Sequence, residues 1–171
     1  PARPLRRKHL FRKHLFRKPS RGGDTKARVH LKHANPVTEE SDRQIRALQQ
    51  KARQALSDAE LLLDNGSVEA AMGLTRSGGY SAAFQAARAA LLTEEEGPKT
   101  HSGVIRRFGY HFVRTGRVSD EIGDILATAQ SMRGRADYDA IADLNQEDAA
   151  HLVDDARRCI RIVETQILPG Q

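Results

Sequence analysis

Between Gly78 and Leu92 the chain reads Gly-Gly-Tyr-Ser-Ala-Ala-Phe-Gln-Ala-Ala-Arg-Ala-Ala-Leu-Leu, and this run constrains the fold more than any other segment. Alanine has the highest intrinsic helix propensity, and a helix with so little side-chain bulk lets a neighbour come close. Tyr80 and Phe84 stand at i and i+4, so their rings share one face. The glycine pair that opens the run costs a helix about 2 kcal/mol relative to alanine. A kink there, or a break into two shorter helices, is the expectation from the residues alone.

The rest of the chain repeats the helical period. Ile45, Leu48, Ala52, Ala55, Leu56, Ala59, Leu62 and Leu63 recur every three or four residues, with Ser41 or Asp42 available as a cap and Asn65-Gly66 as a left-handed stop. A second segment runs from Ser67 through Leu74 to Leu92. A third begins between Thr100 and Ser102, carries Val104, Ile105, Phe108, Phe112 and Val113 inward, and ends at Gly116. Ser119 caps a fourth with Ile122, Ile125, Leu126, Ala129 and Met132 inward. Asn145 caps a fifth, in which Ala149, Leu152, Ala156, Cys159, Ile160, Val163 and Ile167 form one stripe. Nothing alternates at period two. The expected fold is all-α, an antiparallel bundle of about five helices.

Charge divides the chain. Residues 1–36 hold twelve Lys/Arg against one acid, a net +11, and the remainder is −5, which gives the whole-chain +6. The sequence Arg7-Lys-His-Leu-Phe11 is repeated at once as Arg12-Lys-His-Leu-Phe16, a period that builds no apolar stripe. Residues 1–37 are therefore expected to be a disordered basic tail, and residues 38–171 the helical domain. The tail is read first as a plain extension and second as an arm that binds nucleic-acid phosphates by counterion release. The lone Cys159 rules out an intrachain disulfide and reads as a small core residue. No apolar run reaches the ~18 residues needed to span a bilayer and no hydrophobic signal follows the basic start, so a cytoplasmic protein without membrane contact is expected.

Two polar clusters follow the alanine-rich run. One is Lys99-Thr-His-Ser-Gly-Val-Ile; the other is Arg133-Gly-Arg-Ala-Asp-Tyr138. Lys99, His101 and Ser102 stand at a helix start, where backbone N–H groups favour an anion, although a capping or interface histidine is the simpler reading. Arg133 and Asp137 lie at i and i+4 and can pair, either as a structural clamp with Tyr138 packed against Tyr80 or as part of a ligand- or phosphate-binding pocket with Arg135 and Tyr138. Arg135 completes the cluster. No Gly-rich phosphate loop, Cys/His metal spacing or nucleophile elbow occurs, so neither metal nor cofactor is expected.

Taken in order, the alanine-rich helix and the two clusters resemble the HEPN domain, over roughly Ser41 to Leu168. The resemblance implies a small helical bundle whose second helix is continuous. It also implies a homodimer that pairs with a minimal nucleotidyltransferase, or another nucleotide- or RNA-related partner, in a toxin-antitoxin-like system. Many HEPN proteins are ribonucleases that use an Arg and a His separated by four to six intervening residues. Here Arg133 and Arg135 are followed by Ala136 to Ala142 with no His. Asp is ordinarily ionised and Tyr ordinarily protonated at neutral pH, so neither replaces an imidazole. No residue is assigned a catalytic role, and the expected function is that of a binding module.

Two alternatives stand beside it. One is a metal-independent ribonuclease using the literal Arg-x4-His match, Arg106 and His111; the other is an RNA-binding accessory protein acting through the tail. The dimer seam is expected on Ala82, Ala83, Ala86, Ala87, Ala89 and Ala90, near His101 and the Arg133 to Tyr138 cluster, because one intrachain neighbour needs fewer small residues than these.

Overall fold

A computed structural model describes residues 39–68, 70–71, 78–136 and 145–168, with the backbone alone for 132–136. The basic tail lies outside the described residues. Among the described residues there are five α-helices: α1 (Glu39–Asp64), α2 (Gly79–Leu92), α3 (His101–Phe108), α4 (Asp120–Ala136) and α5 (Gln146–Ile162). Among the described residues there is no strand, and no helix is long and apolar enough to cross a membrane.

Glu39, Glu40 and Asp42 fill the first turn of α1, where the helix dipole favours acids. Its inward stripe is Ile45, Leu48, Ala52, Ala55 and Ala59. The helix stops at Gly66, whose φ of +75° is a left-handed conformation that other residues resist, and Gly116 does the same after α3 with φ +76°.

α2 is the centre of the bundle. It packs against α1, α3, α4 and α5, and ten of its fourteen residues are buried, so it is surrounded rather than laid against one neighbour. This overturns the expected seam. Ala82, Ala83, Ala87, Ala89 and Ala90 are 0% exposed and Ala86 2% within the single chain. The small side chains serve close approach by four helices of the same chain, and none of that face is left for a second copy. The continuous second helix is corrected as well. Gly78 is extended (φ −73°, ψ 166°), so α2 begins at Gly79. That extended conformation is open to any residue, and the break falls at the glycine pair because helix propensity is lowest there. Residues 72–77 of the segment before it lie outside the described residues.

α3 runs into a π-helical turn, Gly109–Val113, closed by Arg114 N–H donating to the Gly109 carbonyl at 2.9 Å. Asn145 caps α5 as expected. Its Oδ1 accepts from Asp148 N at 3.0 Å, and Asp148 Oδ2 accepts from Asn145 N at 3.3 Å, a reciprocal capping box. The inward stripe of α5 is buried throughout, and a π-helical turn at Val163–Ile167 extends it. Arg157 meets Glu60 at 2.7 Å and Arg53 meets Glu164 at 2.7 Å, which sets α5 antiparallel to α1. Cys159 is fully buried, and desolvation pushes its thiol up to about 12, so it is a core residue with no thiolate at neutral pH.

Candidate functional site

Thr100 caps α3: its Oγ1 accepts from Gly103 N at 3.1 Å. A Cβ at position 103 would lie 2.8 Å from that oxygen, so Gly103 leaves room for the cap. The cap fixes the backbone from which His101 projects. The imidazole then stacks on Phe84, with ring centroids 4.2 Å apart and planes 19° from parallel, and lies 5.6 Å from the ring of Tyr80. Tyr80 and Phe84 are themselves stacked at 5.7 Å, as their i, i+4 spacing on α2 requires.

Tyr80 Oη and His101 Nδ1 are hydrogen-bonded. With a protonated phenol donating to a neutral imidazole, Nδ1 is the acceptor and Nε2 carries the ring N–H. Tyr80 is buried at 4% exposure whereas His101 is exposed, so a core hydroxyl orients a surface imidazole. The orientation is fixed from two directions, by stacking and by the hydrogen bond.

Lys99 and His101 also line a depression of about 570 Å³ between α1, α2 and the loop that leads into α3. Leu48, Phe84 and Leu92 supply its apolar lining, and Lys51 and Arg88 join Lys99 as cations. The residues alone did not single out Lys51, Arg88 or the Tyr80–His101 bond. The signal for Arg88 was present, since Tyr80, Phe84 and Arg88 recur at every fourth residue of α2. Lys51 comes from a distant segment and only the packing of α1 on α2 brings it in.

His111 is placed differently. Its Nδ1 lies 3.6 Å from Glu94 Oε2 and its Nε2 3.4 Å from Glu96 Oε1. Arg107 Nη1 meets the same Glu96 oxygen at 3.2 Å, Arg117 pairs with Glu94, and the Arg117 guanidinium lies 4.6 Å above the Phe112 ring. This network ties the loop after α2 to the π-helical turn. Arg107, not Arg106, shares a carboxylate with His111, and Arg106 is exposed.

Ser102 is exposed beside His101. Arg133 and Arg135 sit at the C-terminal end of α4, where the backbone alone is described, and Asp137 and Tyr138 lie outside the described residues. Of the expected site residues, Lys99 and His101 are thus brought together on one groove.

Comparison with known proteins agrees with the residue pattern. A family model described as the HEPN domain matches residues 45–166. A protein of Methanocaldococcus jannaschii named "Putative toxin" is 37% identical over 95 residues, 56% of this chain and 68% of that relative. A second protein of that organism with the same designation is 32% identical over 111 residues, 65% of this chain and 73% of the relative. A UPF0332 protein of Gloeobacter violaceus is 36% identical over 116 residues, 67% of this chain and 89% of the relative.

Proposed function

The chain belongs to the HEPN domain family, and on that premise we propose that it is the toxin-side binding module of a toxin-antitoxin-like pair, working with a minimal nucleotidyltransferase as its partner. The names of the two archaeal relatives support the toxin side. The observation that carries the binding role is the His101 corner: an exposed imidazole, held by the Tyr80 hydroxyl and the Phe84 ring, with Lys99 two residues away on the same groove. A rigid imidazole beside a lysine can recognise a phosphate-bearing group through its outer ring N–H and the ammonium. The module is proposed to act as a homodimer in the cytoplasm. Its seam must lie on an outer face, and Tyr110, 52% exposed on the π-helical turn, is the largest aromatic available there.

The test is co-expression with a minimal nucleotidyltransferase, taken from the neighbouring gene if that gene encodes one. The chain alone should slow growth, the partner should restore it and co-purify, and His101→Ala should remove the toxicity. Growth unaffected by the chain, together with no co-purification, would overturn the reading.

A further inference from the structure

Arg106, Tyr110 and Arg114 recur at every fourth residue along α3 and its π-helical turn, and all three are exposed. A step of four residues runs about 40° past a full turn of α-helix. The wider turn of the π-helix takes up that excess, so the three side chains stand on one line. The opposite face of the segment, Val104, Phe108 and Phe112, is 0% exposed and seats this ridge on the core. Tyr110 is 52% exposed, and it is held in place. The Arg114 guanidinium lies 5.0 Å from its ring centroid, and the His111 ring meets its edge at 5.0 Å. Arg107 and Arg117 of the same segment pair with Glu96 and Glu94. Arg106 and Arg114 have no carboxylate at ion-pair distance among the described residues, although the chain beyond residue 36 carries a net −5.

Tyrosine and arginine are the residue types that carry most of the energy in protein–protein contacts. A guanidinium stacked on a ring loses less freedom on binding, and its planar fork matches a carboxylate. From these observations we propose that the Arg106–Tyr110–Arg114 ridge docks an acidic segment of a partner protein. Carboxylates of that segment take the two guanidiniums, and an apolar side chain covers the Tyr110 ring. Charge excludes the nearer occupants. A second copy paired about a two-fold axis on this ridge would set Arg106 of one copy against Arg114 of the other, and like charges so placed repel. The first 36 residues of the chain carry a net +11 and are repelled in the same way. A nucleic-acid strand fits less well than a protein, because the Arg114 guanidinium lies over the ring on which a base would stack. The inference names the surface through which the proposed pair associates, and it rests on that reading only for the identity of the partner. It assigns Tyr110 to that partner and leaves the homodimer seam to another outer face.

The experiment follows the Tyr110 ring signals of the full chain by NMR, assigned with Tyr110→Phe, during titration with a blocked peptide of three Glu-Leu-Ala-Glu repeats. The same peptide with Lys in place of Glu, and a hexauridylate RNA, are the comparison probes. Tyr110 should move saturably with the acidic peptide and stay still with the basic one. Arg106→Glu and Arg114→Glu should each weaken the response about tenfold or more. Arg88→Glu, an equal change of charge on another exposed position, should leave it as in wild type. The basic first 36 residues are common to every variant, so a change at Tyr110 reports the ridge. Tyr110 unmoved by the acidic peptide, or a loss in Arg88→Glu equal to that in Arg106→Glu, would overturn the proposal. Tyr110 moving at lower RNA than peptide concentration would overturn it in favour of a strand, and moving with protein concentration alone in favour of a second copy. Capture of the nucleotidyltransferase separates this inference from the proposed function. Capture kept by the Arg106→Glu, Arg114→Glu double variant would overturn the ridge alone, whereas no capture by wild type with the peptide response intact would remove the proposed function alone.

Discussion

His101 and His111 stand at the two ends of the segment formed by α3 and its π-helical turn, and their surroundings differ in kind. At His101 the neighbours are two aromatic rings and a buried hydroxyl. At His111 they are two carboxylates, which also hold Arg107 and Arg117. The loop after α2 serves both ends: its acids, Glu94 and Glu96, go to His111, and its one base, Lys99, goes to the groove. Among the described residues, charge is therefore matched at one end and left over on the groove at the other. An imidazole in a neutralised cluster holds the fold together, whereas His101 stands beside cations on a groove.

The largest way to break this contrast is to remove the ring beneath His101. Phe84→Ala should cost about 3 kcal/mol, roughly 10 °C in thermal midpoint, because Phe84 is nine-tenths buried and belongs to the core. Calorimetric or circular-dichroism melting measures it. Tyr80→Phe keeps the ring and deletes the hydroxyl that orients His101, so a loss of about 1 kcal/mol is expected. The other end should respond less. His111→Ala or Glu96→Gln should cost no more than about 1 kcal/mol, since these are partly exposed ion pairs, and the difference from wild type should shrink in 0.5 M salt. The Phe84→Ala deficit should not shrink with salt.

The smallest expected effect lies away from both histidines and sets the background for pH studies. Burial raises the Asp155 carboxyl above its usual range, against the attraction of Arg158. The folded state thus holds the Asp155 proton more tightly than the unfolded chain, so this group's contribution to stability falls as pH rises from below 3.8 through the raised folded value. Asp155→Asn should raise the thermal midpoint slightly at pH 7 and have no such effect at pH 3. A variant that is less stable at pH 7 would show that the pairing with Arg158 outweighs the burial cost.

How much of this was legible in the sequence depended on the reach of each interaction. The periodic stripes of α1 and α5, the Asn145 cap and the stops at Gly66 and Gly116 are local, and each was read correctly from residues a few positions apart. The alanines of α2 were read as small but assigned to the wrong neighbour. Sequence shows that a helix is narrow, and only the bundle shows that four helices of the same chain use that narrowness. Ala86→Glu and Ala90→Glu should therefore unfold the chain rather than split a dimer. His101 and Lys99 were singled out as candidates from the short cluster that holds them, and the structure places both on one groove. Lys51 escaped because it faces them across the α1–α2 seam, and the Tyr80–His101 bond escaped because it joins side chains 21 residues apart.

The central claim is that the two imidazoles have different jobs, and histidine-selective NMR during a titration with inorganic pyrophosphate tests it most directly. The ring signals of His101, assigned with His101→Ala, should move saturably with ligand, and those of His111 should stay within a small fraction of that shift. Lys51→Glu should abolish the His101 response without altering His111. Movement at His111 with His101 unchanged would contradict the account.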